Sequence, residues 1–163
     1  LAIAPAGSVK GMLFWLMGDL SQAGSPWPGL VLLLIALVAA QPLARSLNVL
    51  TRGELQAQAL GVNSARVRSG IYFISSLCTA TAVTQAGGIG FVGLIVPHML
   101  RLVVGSDHRV LLPASVLFGG GLLLLADTLA RTALAPRQLP VGVITAFIGV
   151  PLFLYLLRRS ARA

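Results

Sequence analysis

Long apolar stretches alternate along this chain with short clusters of basic residues, and the period is that of membrane-crossing helices rather than of a soluble core. A helix needs about 17–25 mainly apolar residues to cross a hydrocarbon core. Five stretches of about that kind are present: roughly 28–47, interrupted late by Gln41 and Pro42; 69–86, rich in Ser, Thr and Ala; 89–104; 110–131; and 141–157. Residues 11–20, GMLFWLMGDL, are apolar and aromatic but too short to span, and read as an interfacial or re-entrant helix.

Composition agrees with that pattern. Of 163 residues, 56% are hydrophobic and 10% charged, where a soluble domain carries about 25% charged residues. The polar surface is too small to coat a globule in water, whereas spanning helices satisfy their own backbone groups in lipid. The expected fold is all-α: a polytopic membrane helical bundle of about five transmembrane helices plus a short cytoplasmic helix, with 1–163 forming one transmembrane domain and 53–68 its cytoplasmic segment.

The net charge of +8 raises nucleic acid as a partner, but the cations sit between apolar runs and form no patch interleaved with aromatics, so that class is set aside. Their distribution instead orients the chain. Arg45, Arg52, Arg66, Arg68, Arg101, Arg109, Arg158, Arg159 and Arg162 fall on one side, and Lys10, Arg131 and Arg137 on the other. Nine against three places the first set, and the C-terminus, in the cytoplasm. The single cysteine, Cys78, reads as a small packing residue, and one Cys with two separated His offers no metal cluster. Gly87, Gly88, Gly90 and Gly93, Gly119 to Gly121, and Gly149 lie within or beside the spans, as close helix packing requires.

The segment TRGELQAQALGVNSARVR lies between the first two spans. Glu54, Leu55, Ala57, Ala59 and Leu60 predict a short helix stopped by Gly61 in left-handed geometry. Asn63 or Ser64 then caps a second short helix over 65–68. Two readings fit: a rigid knob that docks a soluble partner, and an ordinary surface helix with a basic end.

From Gly53 onward the chain resembles the permease family of ATP-driven importers for iron–siderophore complexes, haem and cobalamin. The resemblance rests on Gly53, Glu54, Ala57, Leu60 and Gly61; on Gly90, Phe91, Gly93, Leu94, Pro97, His98 and Arg101; on Asp107, His108, Arg109, Leu112 and Pro113; on Ala126, Asp127 and Arg131; and on Leu139, Pro140, Gly142, Thr145, Gly149 and Pro151. The segment GMLFWLMGDL resembles the family's short helix at the outer mouth of the pathway. Such permeases have about ten spans in two similar halves, so the resemblance implies that this chain corresponds to the C-terminal half. It further implies that Glu54, Ala57, Leu60 and Gly61, flanked by Arg66 and Arg68, form the coupling helix that enters a cleft of an ATPase subunit. ATP and magnesium would then belong to that partner, and the chain would carry no cofactor. Arg131 matches a position that pairs with a carboxylate of a periplasmic or lipoprotein substrate-binding protein. A second permease copy or a homologous permease completes the expected assembly, in the inner (plasma) membrane.

The residues themselves bound the chemistry. No G-x-x-x-x-G-K-[ST] phosphate cradle occurs, and four acidic residues provide no paired carboxylates, so an enzyme reading is rejected. Asp127 and Arg131, four apart on one helix, are expected to form an ion pair, with Arg131 also available for docking. His98 beside Pro97 more commonly packs or hydrogen-bonds than ligates. Asp107, His108 and Arg109, consecutive on a turn, cannot converge on one metal and read as a turn touching the coupling helix or the ATPase. The hydroxyls of the second span either bond across helices, the commoner use, or line a water-filled route. The rival functions are a secondary transporter, whose broken helices and intramembrane charge couple an ion gradient, and a structural membrane anchor.

Overall fold

The computed structural model describes residues 6–21, 23–133 and 139–160. Arg137 and Arg162, assigned to opposite faces above, lie outside the described residues, as do the side chains of Lys10 and Arg159. The described residues form helices without strands: α1 (Ala6–Leu16), α2 (Trp27–Leu50), α3 (Glu54–Ala59), α4 (Ser64–Ala86), α5 (Val92–Val104), α6 (His108–Thr132) and α7 (Val141–Ser160).

Local chemistry, more than hydrophobicity, sets where these helices start and stop. α2 opens with proline at its first positions, where the missing N–H would have no partner anyway. It does not break at Gln41 and Pro42 but runs on to Leu50. One proline removes a single intrahelical donor, which a helix packed among neighbours tolerates. The expected short helix over 65–68 is likewise absent as a separate element. Asn63 Oδ1 accepts the Arg66 N–H at 3.0 Å, and from that cap α4 continues to Ala86. The second span therefore starts one turn before the apolar pattern does.

The third predicted span changes most. α5 has 13 residues, about 20 Å of helix, against a hydrocarbon core of about 30 Å. Residues 87–90 ahead of it are not helical, and Phe91 has a φ of 68°. α1, at 11 residues, is also too short to cross. α2 and α6 are long and apolar enough to do so, while α5 and the apolar part of α7 (Val141–Leu156) are shorter. On α2, Leu30, Leu34, Ile35 and Val38 stay exposed, Val38 at 72%. A continuous exposed apolar face of this kind belongs against lipid.

The chain forms two compact units. The first comprises the chain up to Gly24, Val83–Val96 and the chain from Phe118. Ala126, Ala130 and Val141 are its buried centre, with Leu20, Leu123, Leu139 and Ile144 packed on them. The second comprises Ser25–Ala82 and Pro97–Leu117. Its buried side chains include Ala40 and Ala44 on α2, Ala57 on α3, Val67 on α4 and Leu111 on α6. α2 and α4 meet at Gly70, where an added Cβ would lie 3.3 Å from Leu43 Cδ1.

Candidate functional site

The second unit contains the polar knob. Only Thr51, Arg52 and Gly53 separate α2 from α3, and each of their amides is bonded, to the carbonyls of Leu47, Val49 and Leu50. α3 closes with two reverse bonds: Gly61 N–H to Gln58 O at 2.9 Å and Val62 N–H to Ala57 O at 2.9 Å. This is the Schellman arrangement, and it needs a left-handed residue at the turn. Gly61, with φ 77°, supplies it. Glu54 accepts from Arg68 Nη2 at 3.1 Å, which joins the first turn of α3 to α4. Both side chains are about half exposed, so the pair contributes less than about 1 kcal/mol and acts mainly as a register mark.

Among the six residues expected to meet an ATPase, Glu54, Leu60, Gly61, Arg66 and Arg68 are exposed, whereas Ala57 is fully buried. The Ala57 side chain faces the protein and lets α3 sit close to its own unit. Leu55, at 84% exposed, and Leu60, at 70%, leave apolar surface on the knob, and the family pattern did not single out Leu55. A polar groove of ≈ 540 Å³ runs between α3 and α4, lined by Glu54, Gln58, Asn63, Ser64, Arg68 and Tyr72 among others.

The Asp107–His108–Arg109 turn is bonded to α2 through Asn48. Asp107 Oδ1 accepts the Arg109 N–H at 3.0 Å and so caps α6. The same oxygen receives Asn48 Nδ2 at 2.6 Å. The Asn48 oxygen in turn lies 2.9 Å from the His108 N–H and 2.7 Å from His108 Nδ1. The Arg109 amide first, and the Asn48 amide second, hold the Asp107 carboxyl below the usual carboxylate range. Asn48 lies on α2, and nothing in the apolar pattern marked it.

In the first unit, Arg131 Nε donates to Asp127 Oδ2 at 2.8 Å. The guanidinium is 44% exposed and the carboxylate 20%, which leaves the cation accessible while the acid fixes its direction. Asp19 adds an electrostatic interaction with the same guanidinium and accepts the N–H and hydroxyl of Ser21. Sequence spacing could not place Asp19 there, because it is far from Arg131 in the chain.

Below this lies a crossing of non-helical backbone. Asp19 N–H donates to Ala86 O at 3.0 Å, and Gly142 N–H to Gly18 O at 3.3 Å. Gly87, with φ 69°, is so close to residue 15 that a Cβ would collide with the Trp15 carbonyl oxygen. An apolar cleft of ≈ 690 Å³ opens beside it, lined by Met17, Gly88, Phe91, Val143, Phe147 and Pro151 among others.

The remaining candidates resolve simply. His98 is exposed on α5, and among the described residues no group of three metal-ligating side chains assembles. The hydroxyls of Ser75 and Thr81 bond carbonyls of their own helix, Tyr72 O at 3.1 Å and Leu77 O at 3.0 Å. Hydroxyls at these positions reach the carbonyl three or four residues back with little strain. Cys78 is half-buried in α4.

An all-helical protein with interrupted spans, an exposed apolar face and a polar knob between two long helices has the build of a polytopic membrane protein. The FecCD transport family matches residues 1–159, and the chain belongs to that family. It is 49% identical, over all of its length, to a cobalamin import system permease protein, BtuC, of Halobacterium salinarum, covering 44% of that protein. It is 44% identical over 90% of its length to the hemin transport system permease protein HmuU of Yersinia pestis, covering 44% of it. A similar relation holds to the iron(3+)-hydroxamate import permease FhuB of Bacillus subtilis: 44% identity over 91% of the chain and 39% of the relative. A solved metal-chelate type ABC transporter in an inward-facing conformation superimposes with a TM-score of 0.82 at 36% identity, over 97% of this chain and 52% of that one. The chain thus spans less than half the length of these curated relatives.

Proposed function

We propose that this chain is the C-terminal half of the permease of an ATP-binding-cassette importer. It would carry iron–siderophore, haem or cobalamin-type substrates across the inner (plasma) membrane, driven by a separate ATPase that holds the ATP and magnesium. The named activities of the relatives support the substrate class. The observation that carries the mechanism is the closed α3 knob, anchored on α2 by a three-residue turn whose amides are all bonded and on α4 by Glu54–Arg68.

In this reading Glu54, Leu60, Gly61, Arg66 and Arg68, together with Leu55, face the ATPase, and Ala57 is the buried pivot. Two exposed leucines, Leu55 on the six-residue helix and Leu60 at its C-cap, are apolar surface that a soluble partner would cover. Because α3 is short and bonded at both ends, a push on it tilts α2 and α4 instead of bending a loop. Such a lever gives the ATPase different contacts in two states, which is what ligand-driven switching requires. The basic clusters support a cytoplasmic position for α3 and the C-terminus. Arg131, oriented by Asp127 on the opposite side, docks an acidic group of a substrate-binding protein. A second permease copy, or a homologous permease, completes the pathway.

The experiment is Gly61→Pro. Proline cannot take a φ of 77°, and it lacks the N–H that Gly61 gives to Gln58. The expected outcome is normal membrane insertion with co-purification of the ATPase reduced roughly tenfold or more. Wild-type recovery of the ATPase would reject the assignment.

A further inference from the structure

We infer that Asn48 is the positioning residue that ties movement of the α3 knob to the start of α6, because its side-chain amide is bonded at both ends to the Asp107–His108 turn. This rests on reading α3 as the ATPase-coupling segment.

The bonding is specific to a primary amide of this length. Asn48 Nδ2 donates to Asp107 Oδ1 at 2.6 Å, and Asn48 Oδ1 accepts the His108 N–H at 2.9 Å. His108 Nδ1 lies 2.7 Å from the same Asn48 oxygen, so that nitrogen carries the ring proton facing it. Aspartate lacks the donor, and leucine lacks both functions.

The tie is not needed to build α6. Asp107 already caps that helix through the Arg109 N–H, and its carbonyl receives Leu111 N–H at 2.9 Å. What Asn48 adds is a link across 59 positions of sequence.

The link also reaches α3. Thr51 Oγ1 donates to Asn48 O at 2.8 Å, and the amides of Thr51, Arg52 and Gly53 are all bonded back into α2. Gly53 O then receives the Ala57 N–H of α3 at 3.1 Å. From α3 to Asn48 there is no slack residue to absorb a displacement, so a shift of the knob is delivered to Asp107 and His108. α6 is the same helix that carries Asp127 and Arg131 in its last turns, so the tie connects the knob to the helix bearing the docking cation.

The test is hydrogen exchange on the full-length permease in lipid nanodiscs, with and without its ATPase subunit. In wild type, adding the ATPase is expected to slow exchange over residues 54–68 and to change it by about fivefold in the first turn of α6, residues 109–112. Asn48→Asp, which sets two carboxylates against each other, keeps the response at 54–68 and loses the one at 109–112. The reciprocal pair Asn48→Asp/Asp107→Asn restores donor and acceptor in exchanged positions and recovers it; a role confined to stabilising α6 would not produce that pattern. Asn48→Leu provides the same comparison should Asn48→Asp fail to accumulate. An undiminished response at 109–112 in either single variant overturns the inference. A wild type without slowing at 54–68 removes the coupling assignment itself, a separate failure that also withdraws the inference.

Discussion

The two units reach precision by opposite means. In the unit that holds Gly18, Gly87 and Gly142, irregular segments meet backbone to backbone, through amide–carbonyl bonds and glycines with no room for a side chain. In the unit that holds the knob, helices are joined by side chains: Asn63 caps α4, Asn48 ties Asp107, and Glu54 meets Arg68. Irregular backbone at membrane depth must find its hydrogen-bond partners within the protein, and close approach of small residues provides them. Where water reaches the chain, a polar side chain is solvated in either state and can serve as an adjustable joint. The first unit should therefore fail by steric exclusion, and the second should loosen by degrees.

The sharpest way to break this contrast is Gly87→Val. A side chain there meets the Trp15 carbonyl on backbone already at φ 69°, and the cost is expected to be about 4 kcal/mol or more. Thermal unfolding in detergent and the yield of monodisperse protein measure it. Gly120→Val, where an added Cβ meets nothing, should behave as wild type. Equal unfolding temperatures for the two variants would contradict the steric account.

Arg131→Glu comes next, and it probes a charge within the sterically built unit. Reversing an exposed cation should weaken binding-protein docking roughly tenfold at low salt and less than about twofold at ~0.5 M salt, because screening removes the pairing. Titration of the binding protein against permease in nanodiscs at both salts measures it, and a salt-independent loss would indicate packing instead.

Asn63→Ala should loosen the second unit without collapsing it. Loss of the cap at the Arg66 N–H costs about 1 kcal/mol, seen as faster hydrogen exchange in the first turn of α4 and a small fall in unfolding temperature. The smallest effect expected is that of pH on the Asn48–Asp107 tie. The folded state holds the Asp107 carboxyl below its usual value, so the contribution is complete above that usual value and is lost as pH falls through the depressed one. Exchange at 109–112 should be flat through the neutral range after correction for intrinsic rates, and should accelerate only in acid below the ordinary carboxylate range.

Much of this molecule was legible in advance because lipid imposes a simple rule. Apolar runs located α2, α6 and α7, the Ser-, Thr- and Ala-rich stretch located α4, and Gly61 marked the end of α3 because only glycine takes that turn without strain. The limits lay where apolar residues do not report geometry. GGIGF is apolar throughout, yet its first glycines lie against the backbone of Trp15 and Leu16 and the segment is not helical, leaving α5 too short to cross alone. Proline at position 42 read as a break and was carried within the helix. Ala57 belonged to the coupling pattern, and burial, invisible in a six-residue stretch, turned it inward.

Hydropathy, charge asymmetry and glycine positions by themselves determined that this is a helical membrane protein with a capped knob between two long helices, and its motifs carried the resemblance to a transport family. Each of those signals is local, set by a residue and its near neighbours in the chain. The tertiary structure alone decided that Asn48 meets Asp107 and His108, that the Asp19 charge acts on Arg131, and that Gly87 lies against Trp15. Those pairings join residues far apart in sequence, and only the packing of one helix on another can set the distance between them.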